Sequence, residues 1–74
     1  MKINVQNCEI VDIVEENGCS IFKLNIDNGT LVYSKKICDL SDYVKAVQNS
    51  ITLVKNVPEY KNYVIELNNL LKVA

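Results

Sequence analysis

Residues 11–33 read VDIVEENGCSIFKLNIDNGTLVY, and this stretch decides the fold class. It contains two Asn-Gly dipeptides, Asn17-Gly18 and Asn28-Gly29, each flanked by residues that alternate between apolar and polar. Asn and Gly accept the positive φ angles of a type I′ turn, so this dipeptide between alternating segments is the strongest short signal for a β-hairpin. The stretch therefore predicts a three-stranded antiparallel β-meander, with strands at about residues 3–15, 19–27 and 30–37.

Two-residue turns also determine the strand register, because the residues on either side of each turn must face one another. In this register Leu24 pairs with both Val11 and Tyr33, and Ile26 pairs with Leu31. Side chains alternate between the two faces of a strand, so one face collects most of the large apolar residues. We expect that inner face to form the core: Val11, Ile13, Phe22, Leu24, Ile26, Leu31, Tyr33 and Ile37.

The opposite, outer face of the predicted sheet is partly polar, but it also receives four apolar side chains. That number is too large for a purely solvated surface in a chain of 74 residues. Residues 2–7 extend past the predicted end of the middle strand, so either they fold locally or they pair with a strand of another chain. The predicted partner-binding residues are Ile10, Val14, Ile21 and Val32 on the outer face, with Ile3 and Val5 in the N-terminal segment.

From Asp39 onward the apolar period changes from two residues to about 3.6, which indicates helices. Asp39 or Ser41 can cap the first helix, and Pro58 suits the first position of a second one. A competing interpretation makes residues 51–55 a fourth strand, because Ile-Thr-Leu-Val is β-prone. The first apolar stripe is Leu40, Tyr43, Val44, Val47, Ile51 and Val54, and the second is Tyr60, Tyr63, Val64, Leu67, Leu70 and Leu71.

The predicted fold is therefore α+β, in the order β-β-β-α-α, with a three-stranded antiparallel meander followed by two helices packed on one of its faces. We expect a single domain over residues 1–74. A chain of this length has a thin core, so association with a second copy as a homodimer would help to stabilise it.

The composition argues against an enzyme. The chain has no His, no Trp and no Arg, and its net charge is −1. Without His, the commonest general base and metal ligand is missing. Its two glycines, Gly18 and Gly29, belong to the predicted turns, so no Gly-rich phosphate loop is formed. We therefore predict no catalytic residue, no cofactor and no metal site.

Three cysteines, Cys8, Cys19 and Cys38, offer the remaining side-chain chemistry. Cys8 and Cys19 lie at opposite ends of their predicted hairpin. Cys19 and Cys38 fall opposite one another if the second hairpin keeps its register, which places their Cα atoms within about 5.5 Å. The odd count and the absence of His favour three free thiols, with an oxidisable Cys19–Cys38 pair and a metal site as the alternatives.

A small dimeric nucleic-acid-binding regulator is the alternative function. Sheets that bind nucleic acids present aromatic side chains among cations, whereas Phe22 and Tyr33 lie on the predicted inner face. Lys35 and Lys36, together with Lys23, form at most a short basic strip. A nucleic-acid partner is therefore less expected than a protein.

The chain shows no apolar run of about 18 residues and no secretory signal, which predicts a cytoplasmic protein without a membrane partner. Asn, Lys, Ile and Tyr, all with A/T-rich codons, make up 30 of the 74 residues. An A/T-rich genome and a short chain are typical of phages and other mobile elements, in which case the compartment is the host cytoplasm. We predict a non-enzymatic protein-binding module, an accessory protein or inhibitor of a host defence such as an anti-CRISPR.

Overall fold

The computed structural model describes residues 2–5, 8–26 and 29–73, and the side chains within residues 10–26 and 29–72. The predicted α+β order, a β-meander followed by two helices, is confirmed. The sheet has one strand more than predicted, at its N-terminal edge, and the strand order is β1-β2-β3-β4. The elements are β1 (Lys2–Val5), β2 (Cys8–Glu16), β3 (Cys19–Ile26), β4 (Thr30–Ile37), α1 (Leu40–Val54), a 3₁₀ turn (Pro58–Tyr60) and α2 (Lys61–Val73).

The additional strand uses the N-terminal segment that the sequence left without a partner. β1 pairs antiparallel with β2, placing Ile3 opposite Val11 and Val5 opposite Cys8. Of the two alternatives for this segment, the structure shows local pairing, because β2 supplies the partner strand. The side chains of Ile3 and Val5 lie outside the part of the chain that the structure describes.

The first predicted turn is confirmed. Asn17 has φ 54° and Gly18 has φ 78°, as a type I′ turn requires at both central positions. The register of β2 and β3 follows from it, with Ile13 opposite Phe22 and Val11 opposite Leu24. Both core assignments in β2 that depend on this register therefore fall on the predicted inner face.

The second hairpin differs from its prediction by one residue. Leu24 faces Tyr33 as expected, but β3 ends at Ile26 and β4 begins at Thr30, and these two residues face each other. Asn28 of the predicted second turn lies outside the described residues. The register shifts between Leu24 and Asn25, because Asn25 faces Leu31 and Val32 becomes an extra residue in β4, a β-bulge. The predicted pairing of Ile26 with Leu31 is wrong, and Leu31 is 53% exposed instead of buried.

The reason lies in the hydrogen bonding of the middle strand. In an antiparallel sheet, consecutive residues of a strand direct their backbone N–H and C=O groups to opposite sides. The odd-numbered residues of β3 therefore hydrogen-bond one neighbouring strand, and the even-numbered residues hydrogen-bond the other. The turn at Asn17-Gly18 directs Cys19, and with it every odd-numbered residue of β3, toward β2. A two-residue turn at Asn28-Gly29 would direct residue 27, which is also odd-numbered, toward β4. The observed pairing of Ile26 with Thr30 assigns an even-numbered residue to β4 and removes the conflict.

A second bulge lies in β2 and follows from the same rule. Ile3 faces Val11 and Asn4 faces Glu9, so Ile10 is the extra residue. Only two residues connect Val5 to Cys8, and a ladder that bonds both Cys8 and Val11 to β1 needs one residue inserted between them. Ile10 and Val11 are both buried as a result, with 2% and 1% exposure.

Helix α1 runs without interruption from Leu40 to Val54, so the alternative strand at residues 51–55 is wrong. Asp39 is its N-cap, and the Asp39 carboxylate accepts a hydrogen bond from the Asp42 backbone N–H at 2.9 Å. The stripe prediction fails at Leu40, which is 62% exposed because it begins the helix beyond the edge of the core.

The core lies between the inner face of the sheet and the two helices. Phe22 is at its centre and makes edge-to-face contacts with Tyr33 and Tyr43, with ring centroids 6.3 and 6.2 Å apart. Pro58 begins the 3₁₀ turn that leads into α2. The fully buried apolar residues are Ile10, Val11, Phe22, Leu24, Ile26, Ala46, Val47, Val54, Leu67 and Leu70.

Candidate protein-binding surface

The outer face of the sheet, opposite the helices, carries three of the four binding residues that were predicted for it, together with one residue that was not. Val14 and Ile21 are directly paired across β2 and β3 and are half-buried. Val32 is 46% exposed at the start of β4. Ile10 does not belong to this face, because the bulge in β2 turns it into the core. Leu31, which the sequence assigned to the core, joins Val32 in its place.

An ion pair crosses the middle of this face. The Lys23 Nζ lies 3.0 Å from the Glu16 Oε1, and both residues occupy outer-face positions. Lys23 faces Asp12 and Glu16 faces Cys19, so the register separates the two side chains by two rows, or roughly 13 Å along the strands. The row between them is Val14–Ile21. The extended side chains of Lys23 and Glu16 therefore pass over that apolar pair.

This arrangement explains why Val14 and Ile21 are half-buried on a face without a helix. The aliphatic stem of a lysine covers apolar surface while its ammonium group stays in water. Side-chain exposure is 29% for Lys23 and 52% for Glu16, so the ion pair is solvated and contributes at most about 1 kcal/mol. A partner can displace it at little cost and reach the apolar pair below.

We call Val14, Ile21, Leu31 and Val32, together with the Lys23–Glu16 ion pair, the outer patch. Its apolar residues form two groups, Val14–Ile21 and Leu31–Val32, with Lys23 in the row between them. Leu31 was predicted to lie in the core because side chains were assumed to alternate between the two faces without a bulge at residue 32. The two Asn-Gly turns contain the signal for that bulge, because they require odd-numbered residues of β3 to hydrogen-bond two different strands.

The predicted basic strip is divided by the structure. Lys23 is engaged with Glu16, as described above. Lys35 faces Phe22 on the inner side and is half-buried, whereas Lys36 faces Ile21 on the outer side and is exposed. The three lysines therefore do not line one surface, which removes the geometric support for a phosphate-contacting strip.

Cys19 is half-buried and Cys38 is exposed, and both are free thiols. Ser20 and Ile37 form the last β3–β4 pair, so Cys19 and Cys38 follow that pair directly at the end of the ladder. The Cys38 backbone N–H donates to the Asp42 Oδ2 at 3.0 Å, which turns the chain from β4 into α1. The side chain of Cys8 lies outside the described residues.

Glu66 in α2 carries a buried carboxyl group. It is 4% exposed, and its Oε2 is a buried oxygen without a hydrogen-bond partner. Its position three residues after Tyr63 and four before Leu70 places it on the buried stripe of α2, which is a signal the helical period contains. A buried oxygen without a hydrogen-bond partner lowers the stability of the fold.

Among the described side chains, those of residues 10–26 and 29–72, no group of three His, Cys, Asp or Glu is arranged to hold a metal ion. None of the described helices combines the length and the apolar character that crossing a bilayer requires. The chain matches no protein family model, and no curated protein or solved structure resembles it at a significant level.

Proposed function

We propose that this protein is a small non-enzymatic binding module that acts by occupying the surface of a partner protein through the outer patch. The observation that carries the proposal is the one-sided packing of the sheet. Both helices contribute to a core on the inner face, while Val14, Ile21, Leu31 and Val32 remain on the other side. Apolar groups clustered on the surface of so small a protein are typical of interaction sites.

The geometry of the patch supports a protein partner over a small ligand. The outer face is an open sheet, so it offers breadth and little depth. Its two apolar groups, Val14–Ile21 and Leu31–Val32, flank the polar row of Asp12, Lys23 and Ser34. Apolar groups interspersed with polar side chains are common in non-obligate protein interfaces.

The proposal extends to the biological role. A short chain with A/T-rich codons fits an accessory protein of a phage or mobile element, acting in the host cytoplasm as an inhibitor of a host defence. In the absence of its partner, the same patch would form the interface of a homodimer. The outer patch is therefore occupied in both complexes, by the partner in one and by a second copy in the other.

The test compares two substitutions of the same kind. Ile21→Lys places a charge in the middle of the outer patch, and Ile65→Lys places one on α2 at a residue that is 48% exposed and distant from the patch in the fold. Circular dichroism checks that both variants keep their secondary structure. Pull-down from the source cell with mass spectrometry and light scattering then compare capture and self-association.

We expect the wild type and Ile65→Lys to capture the same protein, and Ile21→Lys to lose it or bind it at least about tenfold more weakly. Self-association should fall with the same substitution. Equal capture by all three proteins would contradict the proposal, as would capture of nucleic acid alone with an affinity that falls steeply with salt.

A further inference from the structure

Strand β4 is a free edge of the sheet, and its hydrogen-bonding pattern is determined by the first turn. The type I′ turn at Asn17-Gly18 directs the odd-numbered residues of β3 toward β2, so the even-numbered residues bond β4. Their partners in β4 are Tyr33, Lys35 and Ile37. Ser34 and Lys36, which alternate with them, therefore direct their backbone N–H and C=O groups away from the sheet.

No described strand pairs with this edge; helix α1 contacts β4 from the inner face, where the Asn49 Nδ2 donates to the Tyr33 Oη at 3.1 Å. β4 is the last strand in the sheet order, and its backbone hydrogen bonds within the described residues all run to β3. The side chains of Ser34 and Lys36 are exposed, as are those of Leu31 and Val32 at the start of the strand. The edge thus offers unpaired backbone groups beside two exposed apolar side chains.

The charges along β4 decide what kind of strand can use this edge. Lys35 and Lys36 face Phe22 and Ile21 across the ladder, so β3 supplies no carboxylate to either of them. Two copies of β4 paired antiparallel would bring four lysines to one seam, and edge lysines act in natural sheets to prevent such pairing. An acidic strand would meet the same lysines as opposite charges.

We propose that β4 takes up an extended acidic segment of the partner protein as a fifth, antiparallel strand. The segment bears two adjacent carboxylates, one on each face of the sheet, opposite Lys36 and Lys35. An apolar residue three positions after the second carboxylate lies opposite Val32, on the outer face of the sheet. This inference rests on the proposed function, because it names the part of the partner that is bound, and it places that segment beside the outer patch.

The probe is a fluorescein-labelled peptide of glycine, two glutamates, two threonines, two valines and glycine, measured by fluorescence anisotropy. In the proposed register the first threonine faces Ser34 and directs its N–H toward β4, while the second threonine directs its N–H away. N-methylation of the first threonine should therefore weaken binding by at least about tenfold, and N-methylation of the second should leave it nearly unchanged. This contrast uses the unaltered protein.

A charge exchange tests the lysines. The variant with Lys35→Glu and Lys36→Glu should bind the peptide at least about tenfold more weakly, and a peptide with two lysines in place of the glutamates should restore binding. The matched control carries Lys45→Glu and Lys61→Glu, two exposed lysines on the helices, and should bind the acidic peptide as the wild type does. Absence of wild-type binding, or equal effects of the two N-methyl groups, would overturn the inference.

The outcomes separate this inference from the proposed function. If the peptide fails to bind while Ile21→Lys still loses the partner that Ile65→Lys captures, the outer patch stands and strand addition is wrong. If the peptide binds with the expected N-methyl contrast while Ile21→Lys captures the partner normally, strand addition stands and the outer patch is not the main contact.

Discussion

The two β-bulges of this sheet each insert one extra residue, but the inserted residue is buried in one bulge and exposed in the other. In β2 the extra residue, Ile10, turns inward and is 2% exposed beside the buried Val11. In β4 the extra residue, Val32, is 46% exposed, and the preceding Leu31 is 53% exposed. One bulge enlarges the core by a residue, and the other transfers a large apolar residue to the surface.

The difference follows from the position of each strand. β2 lies between β1 and β3, so an inserted side chain there is surrounded by sheet and helices. β4 is an edge strand, and its bulge lies near the start of the strand, with a neighbouring strand on one side only. A bulge thus changes which face a residue occupies, while the depth of the strand in the sheet decides whether that residue is buried.

Leu24 is the reference for both bulges, because it belongs to the last regular row before each of them, with Val11 on one side and Tyr33 on the other. It is completely buried. We expect Leu24→Ala to lower the free energy of unfolding by about 2–5 kcal/mol, the largest effect among these variants, since it leaves a cavity in the core. Urea denaturation measures it, and a loss below about 1 kcal/mol would mean that the wrong face has been assigned to the core.

Truncating the two bulge residues compares them directly. Ile10→Ala should cost about 2–4 kcal/mol, and Val32→Ala less than about 1 kcal/mol, because only the first removes fully buried methyl groups. Urea midpoints of both variants, measured with unchanged m-values, give the comparison. Similar costs for the two substitutions would show that the bulges do not differ in burial.

The position of the register shift can be tested at the end of the β3–β4 ladder that is away from the bulge. Because the ladder is regular from Leu24 to Ser20, Cys19 and Cys38 should approach closely enough to form a disulfide under mild oxidation. Peptide mapping identifies the product, and the cross-link should stabilise the protein by about 2 kcal/mol. Recovery of Cys8–Cys19 as the main intramolecular product would place the shift elsewhere and contradict the register.

The smallest expected effect concerns Tyr43, which packs edge-on against Phe22 on the core side of the bulged strands. Burial raises the pKa of the Tyr43 hydroxyl above its ordinary value of 10.0. The unfolded chain therefore loses this proton first, and stability falls as the pH rises above about 10. Tyr43→Phe should lessen that fall, measured as thermal midpoints from pH 8 to 11, and an unchanged pH dependence would show that Tyr43 does not contribute.

Much of the fold was predictable because its signals are local. The turn at Asn17-Gly18, the register that follows from it, the cap at Asp39 and the change of period after it all depend on neighbouring residues. The candidate surface was predictable only in part. Val14, Ile21 and Val32 kept their outer positions, whereas Ile10 and Leu31 exchanged places because each lies at or beside a bulge.

The sequence by itself determined that the sheet contains an irregularity, which the alternation of apolar and polar residues does not reveal. Two Asn-Gly turns eleven residues apart cannot both be two-residue turns around one regular strand, since hydrogen bonding alternates with a period of two. That conflict requires a departure from regularity in one of the two hairpins, and the structure places it in the second. Its placement at Val32, the inward rotation of Ile10 and the burial of Glu66 were decided by the tertiary structure, because each depends on which strands and helices are neighbours in space.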